Sequence, residues 1–86
     1  MHYVYVLKSE KDNQLYIGFT DNIDKRVQCH QAGEVPATKL RRPVELVFYE
    51  AYKTKSDALR RERYFKTTKG KTVLKVMLKD YFLGVL

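Results

Sequence analysis

Glu62 breaks the pattern of its own segment. It falls on the apolar stripe drawn by Ala58, Leu59 and Phe65 at helical spacing. A carboxylate there must be paired, bound to a metal or protonated, because an unpartnered buried charge is costly. The ordinary alternative is a stripe-edge glutamate paired with Arg60, Arg61 or Arg63. Arg26 and His30 form a second anomaly, sharing one helical face at i, i+4 beside Ile23 and Val27. An arginine so placed could grip a phosphate bidentately, and a histidine could donate to a phosphate or leaving oxygen or act as an acid or base. The alternative for both is a solvated surface pair.

These residues need elements to hold them. Tyr3–Leu7 and Leu15–Phe19 are β-branched and aromatic, and polar Lys8–Gln14 between them makes the first twenty or so residues an antiparallel hairpin. Alternation puts Tyr3, Tyr5 and Leu7 on one face and Val4 and Val6 on the other. If Val4 and Val6 meet Leu15 and Ile17 to form core, the expected register pairs Tyr5 with Tyr16 and Tyr3 with Gly18. Two tyrosines then lie side by side next to a glycine that leaves room for a ligand. Thr20-Asp21-Asn22 supplies caps for a helix over Ile23–Ala32, which Gly33 stops. Glu34–Pro43 reads as a loop carrying the basic cluster Lys39-Leu40-Arg41-Arg42, and Val44–Tyr52 as a third strand. Ser56 or Asp57 is expected to cap a helix through Lys66, Gly70 to break it, and Val73–Tyr81 to form a last helix. The order is ββαβαα: an α+β fold, a three-stranded antiparallel sheet flanked by helices.

Composition narrows the class. With 86 residues the chain is one domain with one modest core, and 44% hydrophobic residues is too many for a disordered basic tail. The single cysteine, Cys29, excludes a disulfide framework or a cysteine-rich zinc site and reads as a semi-buried helix residue. The Tyr3–Leu7 run is too short for a signal-peptide core, and no stretch nears the ~20 apolar residues of a membrane helix, so a cytoplasmic location is expected. Seventeen Lys and Arg against ten Asp and Glu give +7, which points to a polyanion such as nucleic acid. The end Tyr81–Leu86 (YFLGVL) is apolar, and either folds back onto the core or covers a second copy in a homodimer.

The ordered set Tyr3-Val4-Tyr5, Tyr16-Ile17-Gly18, Asn22…Arg26…His30 and Ala58-Leu59-x-x-Glu62 resembles the GIY-YIG endonuclease superfamily over residues 3 to 80 or so. It is most similar to the small single-domain bacterial members. The resemblance implies DNA phosphodiester hydrolysis with one divalent ion, Mg2+ or Mn2+, in a repair or recombination setting. Glu62 would be the metal ligand, and Tyr5 and Tyr16 would line the attack site, one of them helping to take a proton from water. Arg26 would stabilise the phosphate, His30 would hold or protonate the leaving side, and Gly18 would allow close backbone approach. Lys39, Arg41, Arg42, Lys69 and Lys71 are candidate DNA contacts. Three departures stand out: Tyr3 replaces the first glycine, Phe19 follows the second motif where excision-repair members carry lysine, and no asparagine occurs after Asn22. A non-catalytic nucleic-acid-binding module on the same fold is the alternative, and a structural or partner protein assembling through the apolar end is a third class.

Overall fold

In a computed structural model, which describes residues 1–84, the chain folds as β1 (His2–Ser9), β2 (Leu15–Thr20), α1 (Ile23–Gln31), α2 (Pro36–Lys39), β3 (Val44–Tyr52), α3 (Lys55–Phe65), α4 (Thr68–Met77) and α5 (Lys79–Leu83). The strands form one antiparallel sheet in the order β2-β1-β3. This is the expected α+β arrangement, ββαβαα, with two short additions. One helical turn, α2, lies within the Glu34–Pro43 segment, and the last helical stretch is divided into α4 and α5.

The central strand explains the layering. Val4, Tyr5, Val6 and Leu7 are all fully buried, so β1 is covered on both faces and its apolar run is continuous. Val4 and Val6 join Ile17, Ala58, Phe65 and Leu74 in one core layer under α3 and α4. Tyr5 and Leu7 face the other way, into a cluster with Val44, Tyr16, Ile23 and Val27 that includes residues of α1.

The hairpin register corrects the expected one. Tyr5 pairs with Gly18, Leu7 with Tyr16 and Tyr3 with Thr20. The turn sets this: Ser9 N–H donates to Gln14 O at 2.9 Å, Asn13 N–H donates to Ser9 O at 2.8 Å, and Asn13 takes φ 60. The Ser9 hydroxyl oxygen also accepts from Lys11 N at 3.1 Å, tying down the tip. The slide is two residues, so every side chain keeps its face while its cross-strand neighbour changes.

Helix ends differ in detail. Asn22 caps α1 by accepting from Lys25 N, as the Thr20-Asp21-Asn22 run suggests. On α3 the cap is Thr54, which accepts from Asp57 N, rather than Ser56 or Asp57. Asp57 instead lies in the first turn, where the helix dipole favours a carboxylate. Gly70 does not break a helix. The break comes earlier, where Thr67 caps α4 by accepting from the Gly70 N–H at 3.0 Å. Gly70 is buried inside α4 against the Tyr64 carbonyl, and a side chain there would collide with that backbone. The apolar end folds back in part. Tyr81 donates to Glu45 at 3.1 Å and lies under Lys8 Nζ, whereas Phe82 and Leu83 are exposed. Val85 and Leu86 of that end lie outside the described residues.

Gly70→Ala sets two effects against each other: alanine favours a helix interior by ~1 kcal/mol, but overpacking typically costs ~1–3 kcal/mol. Because the obstacle is backbone, overpacking prevails. Urea unfolding of the variant should show a net loss of about 1 kcal/mol or more.

Candidate active site

Tyr5 is the centre of the site. Its side chain is fully buried on β1, yet its hydroxyl lies 2.8 Å from His30 Nε2 and accepts from Arg26 Nε at 3.3 Å. The other imidazole nitrogen, Nδ1, is 2.7 Å from the Thr38 hydroxyl, and Thr38 is itself fully buried. Tyr16 closes the group from β2, with its ring centroid 5.0 Å from His30 and 6.3 Å from Tyr5. The structure thus brings together four sequence-indicated residues, Tyr5, Tyr16, Arg26 and His30, from three elements. The i, i+4 spacing aims Arg26 and His30 at one point because Ile23 and Val27 anchor that face of α1 to the sheet.

The space expected for a ligand beside Gly18 is filled by the protein itself. The Tyr5 ring lies across Gly18 so closely that any side chain at position 18 would collide with it. The two-residue slide in register is the reason, since it sets Gly18 rather than Tyr16 directly opposite Tyr5.

Burial governs the charge states. It pushes the Tyr5 hydroxyl up to about 12, with Tyr16 adding to the rise and Arg26 opposing it. His30 is pushed down to about 4, first by burial and then by the Arg26 cation. Both are therefore neutral at pH 7. Arg26 is held more firmly charged by its hydrogen bond to Tyr5, which outweighs its own desolvation. Arg26 also borders a cleft of about 240 Å³ with Thr20, Asp21, Asn22, Lys25 and Cys29. His30, by contrast, is fully buried, and both of its ring nitrogens are engaged inside the protein.

Glu62 stands apart from this network. Its helix packs through Ala58 and Phe65 on the Val4 and Val6 layer, on the sheet face opposite Tyr5. The Glu62 side chain is 17% exposed, and its carboxylate pairs with Lys66 at 3.4 Å, not with the neighbouring arginines. Arg61 is taken by Glu50 at 2.9 Å and Arg60 by Asp57. Among the described residues no three His, Cys, Asp or Glu side chains cluster to hold a metal. A single accessible carboxylate still suits Mg2+, which commonly takes one or two protein carboxylates and completes its shell with water and phosphate oxygens. Of the candidate DNA contacts, Lys39, Lys69 and Lys71 are exposed. Arg41 pairs with Asp12 at 3.5 Å, and Arg42 donates to Lys39 O at 3.0 Å with its guanidinium against Gly33. Thr38 was not indicated by the sequence. Its one available signal is Pro36, a residue suited to the first turn of a helix, which hints at α2 but not at the inward hydroxyl.

The GIY-YIG catalytic domain family matches residues 1–75. A UPF0213 protein of Staphylococcus haemolyticus is 47% identical over 77 residues, covering 88% of this chain and 93% of the relative. A UPF0213 protein of Staphylococcus saprophyticus is 44% identical over the same shares. Among solved structures, the solution NMR structure of a UPF0213 protein from Bacillus halodurans has a TM-score of 0.57 at 33% identity, over 88% of this chain and 83% of that one. The chain belongs to the GIY-YIG family, a nuclease family, and within it to the UPF0213 proteins. No helix among the described residues is long and apolar enough to cross a membrane.

The depressed His30 pKa has a stability consequence. Between about 4 and the ordinary value near 6.5 the unfolded chain binds a proton that the folded chain does not, so stability rises with pH across that window. The contribution is whole above ~6.5 and is lost as pH falls toward 4, up to about 3 kcal/mol. Urea unfolding between pH 7.5 and pH 4 should show this slope, and an NMR titration of His30 should place its midpoint well below that of a free histidine.

Proposed function

We propose that this protein is a metal-dependent DNA endonuclease or nickase, acting on branched or damaged DNA of the kind met in repair or recombination. The observation that supports it is the convergence of Arg26 and His30 on the buried Tyr5 hydroxyl, with Tyr16 beside them. Such a polar group inside a core has no packing advantage over leucine or phenylalanine, so chemistry is the better account of it.

The residues divide the work by exposure and charge. A phosphodiester is already anionic, so attack on it first needs positive charge nearby. Arg26 supplies this from the edge of the cleft, with its guanidinium oriented by Tyr5. Tyr5 is too buried, and holds its proton too tightly, to meet water directly. Tyr16 is only half-buried and is the tyrosine that meets the nucleophilic water. His30 acts from inside by holding Tyr5, not by touching the leaving oxygen. Glu62 would hold the divalent ion, which when bound neutralises charge on the phosphate and polarises it. Lys39, Arg42, Lys69 and Lys71 would contact the DNA backbone without reading sequence.

Purified protein should nick supercoiled plasmid or cut flaps and junctions with Mg2+ or Mn2+, and chelator should stop it. Arg26→Ala should slow cutting by ~10²–10³, the usual loss for one electrostatic contact to a reacting oxyanion. Glu62→Ala should abolish cutting while leaving DNA binding largely intact. Wild type as inert as Glu62→Ala across all these substrates would overturn the nuclease reading.

A further inference from the structure

We propose that Tyr3 and Tyr49 form a stacking platform for an unpaired nucleobase, beside the cleft that Arg26 borders. The two rings meet edge to face, with centroids 5.9 Å apart and planes at 64°. Tyr49 is 51% exposed on the edge strand β3, and Tyr3 is half-buried on β1. Tyr3 also stands where the first family motif has glycine, so this chain carries a ring at a position the motif leaves bare.

Register places the pair against the candidate site. On this face of the sheet Tyr5 lies between Gly18 and Tyr49, and Tyr3 lies between Thr20 and Ala51. The Tyr5 ring leans across Gly18, away from β3, and half of the Tyr49 surface stays open. Helix α1 anchors at the other end of the face, where Ile23 and Val27 pack with Tyr5, Leu7 and Val44. Thr20, the β2 partner of Tyr3, lines the cleft bordered by Arg26, where Lys25 and Arg26 outnumber Asp21. Two strand spacings, roughly 10 Å, separate β2 at that cleft from Tyr49 on β3. Neighbouring nucleotides of one extended strand bridge such a distance.

The chemistry of the two neighbours is complementary. A guanidinium holds a phosphate without regard to the base, whereas a tyrosine ring offers its π-face to any base. Bases inside a duplex have both faces covered by their neighbours, so only an unpaired or extruded base can use the platform. The substrate class this defines is DNA with an unpaired nucleotide next to the phosphate at Arg26, as at a flap, junction or damaged site. Its use in cutting rests on the nuclease reading given above, whereas the stacking does not.

Binding measured in chelator, where no cutting occurs, tests the platform apart from catalysis. The probes are a flap duplex with iodouracil in the flap beside the branch, and an intact duplex with the same number of phosphates. Wild type should bind the flap more tightly, and irradiation should crosslink the iodouracil to Tyr49 or Tyr3. Tyr49→Ala should weaken flap binding by roughly tenfold, the usual loss of one base–aromatic stack, and leave duplex binding little changed. Tyr49→Phe should restore the flap preference. Wild type that binds flap and duplex equally overturns the proposal before any variant is made. A crosslink that maps away from both tyrosines overturns it, as does a Tyr49→Ala loss shared equally by flap and duplex. Should Tyr49→Ala instead split a dimer in sedimentation and keep the flap preference, the patch is a contact between copies and the platform fails. If wild type prefers the flap yet cuts nothing with Mg2+, the nuclease reading fails while the platform stands. If it cuts but shows no flap preference, the platform alone fails.

Discussion

A phenol hydroxyl sealed inside the protein is the constraint from which most of this structure follows. Tyr5 has no exposed surface, and a buried hydroxyl without partners costs roughly 1–3 kcal/mol. Its neighbours are therefore specified rather than merely tolerated. Gly18 must lack a side chain because the Tyr5 ring crosses it. Helix α1 must present Arg26 and His30 on one face. The α2 turn must bring Thr38 inward to meet the far side of the imidazole. Core and candidate site thus overlap at Tyr5 and His30, and the polar network is anchored on the central strand of the sheet, where positions are most firmly fixed.

The two faces of β1 separate the remaining functions. Val4 and Val6 build an apolar layer that sets the position of α3, and with it Glu62. Tyr5 and Leu7 build the layer that sets α1, and with it Arg26 and His30. A nuclease site assembled from both layers would have its carboxylate and its cation carried by helices that share only the sheet between them. Their separation would then depend on how each helix packs onto β1 and β2. Close packing there, including the glycine contact that locks α4 against the end of α3, would then set the geometry of such a site from outside it.

Period-two alternation made the two faces legible in the sequence, and cap residues made α1 legible, because both signals are local. The register was less legible. Matching apolar faces fixes it only to a multiple of two residues, and the choice between multiples lies in the turn, where Ser9 and Asn13 set the closing hydrogen bonds. The same ambiguity hid the purpose of Gly18, which accommodates a tyrosine of this chain. Gly70 reads as a helix breaker by propensity, but tertiary contact with the Tyr64 backbone decides its role. Thr38 had no local signal beyond Pro36, which hints at a helical turn but not at an inward hydroxyl. A threonine in a proline-containing loop is ordinary until folding carries it to a histidine eight residues away. The motif residues were found because their spacing is unusual, and their support was missed because support is a property of the fold.

Charge completes the argument. Several acids are engaged in ion pairs, Glu50 with Arg61, Asp57 with Arg60, Asp12 with Arg41 and Glu62 with Lys66. An exposed pair such as Arg60 with Asp57 contributes little to stability, and every one of these pairs cancels a cation locally. Arg26 is treated differently: it has no carboxylate at ion-pair distance among the described residues, and its hydrogen bond goes to a phenol that stays neutral. An arginine so held keeps a fixed direction without losing its field. The +7 surplus gives a general attraction for polyanions that salt would screen. Under the proposed nuclease reading, Arg26, half-buried at the edge of a cleft it shares with Asp21 and Lys25, would turn that diffuse attraction into one oriented charge for a phosphate.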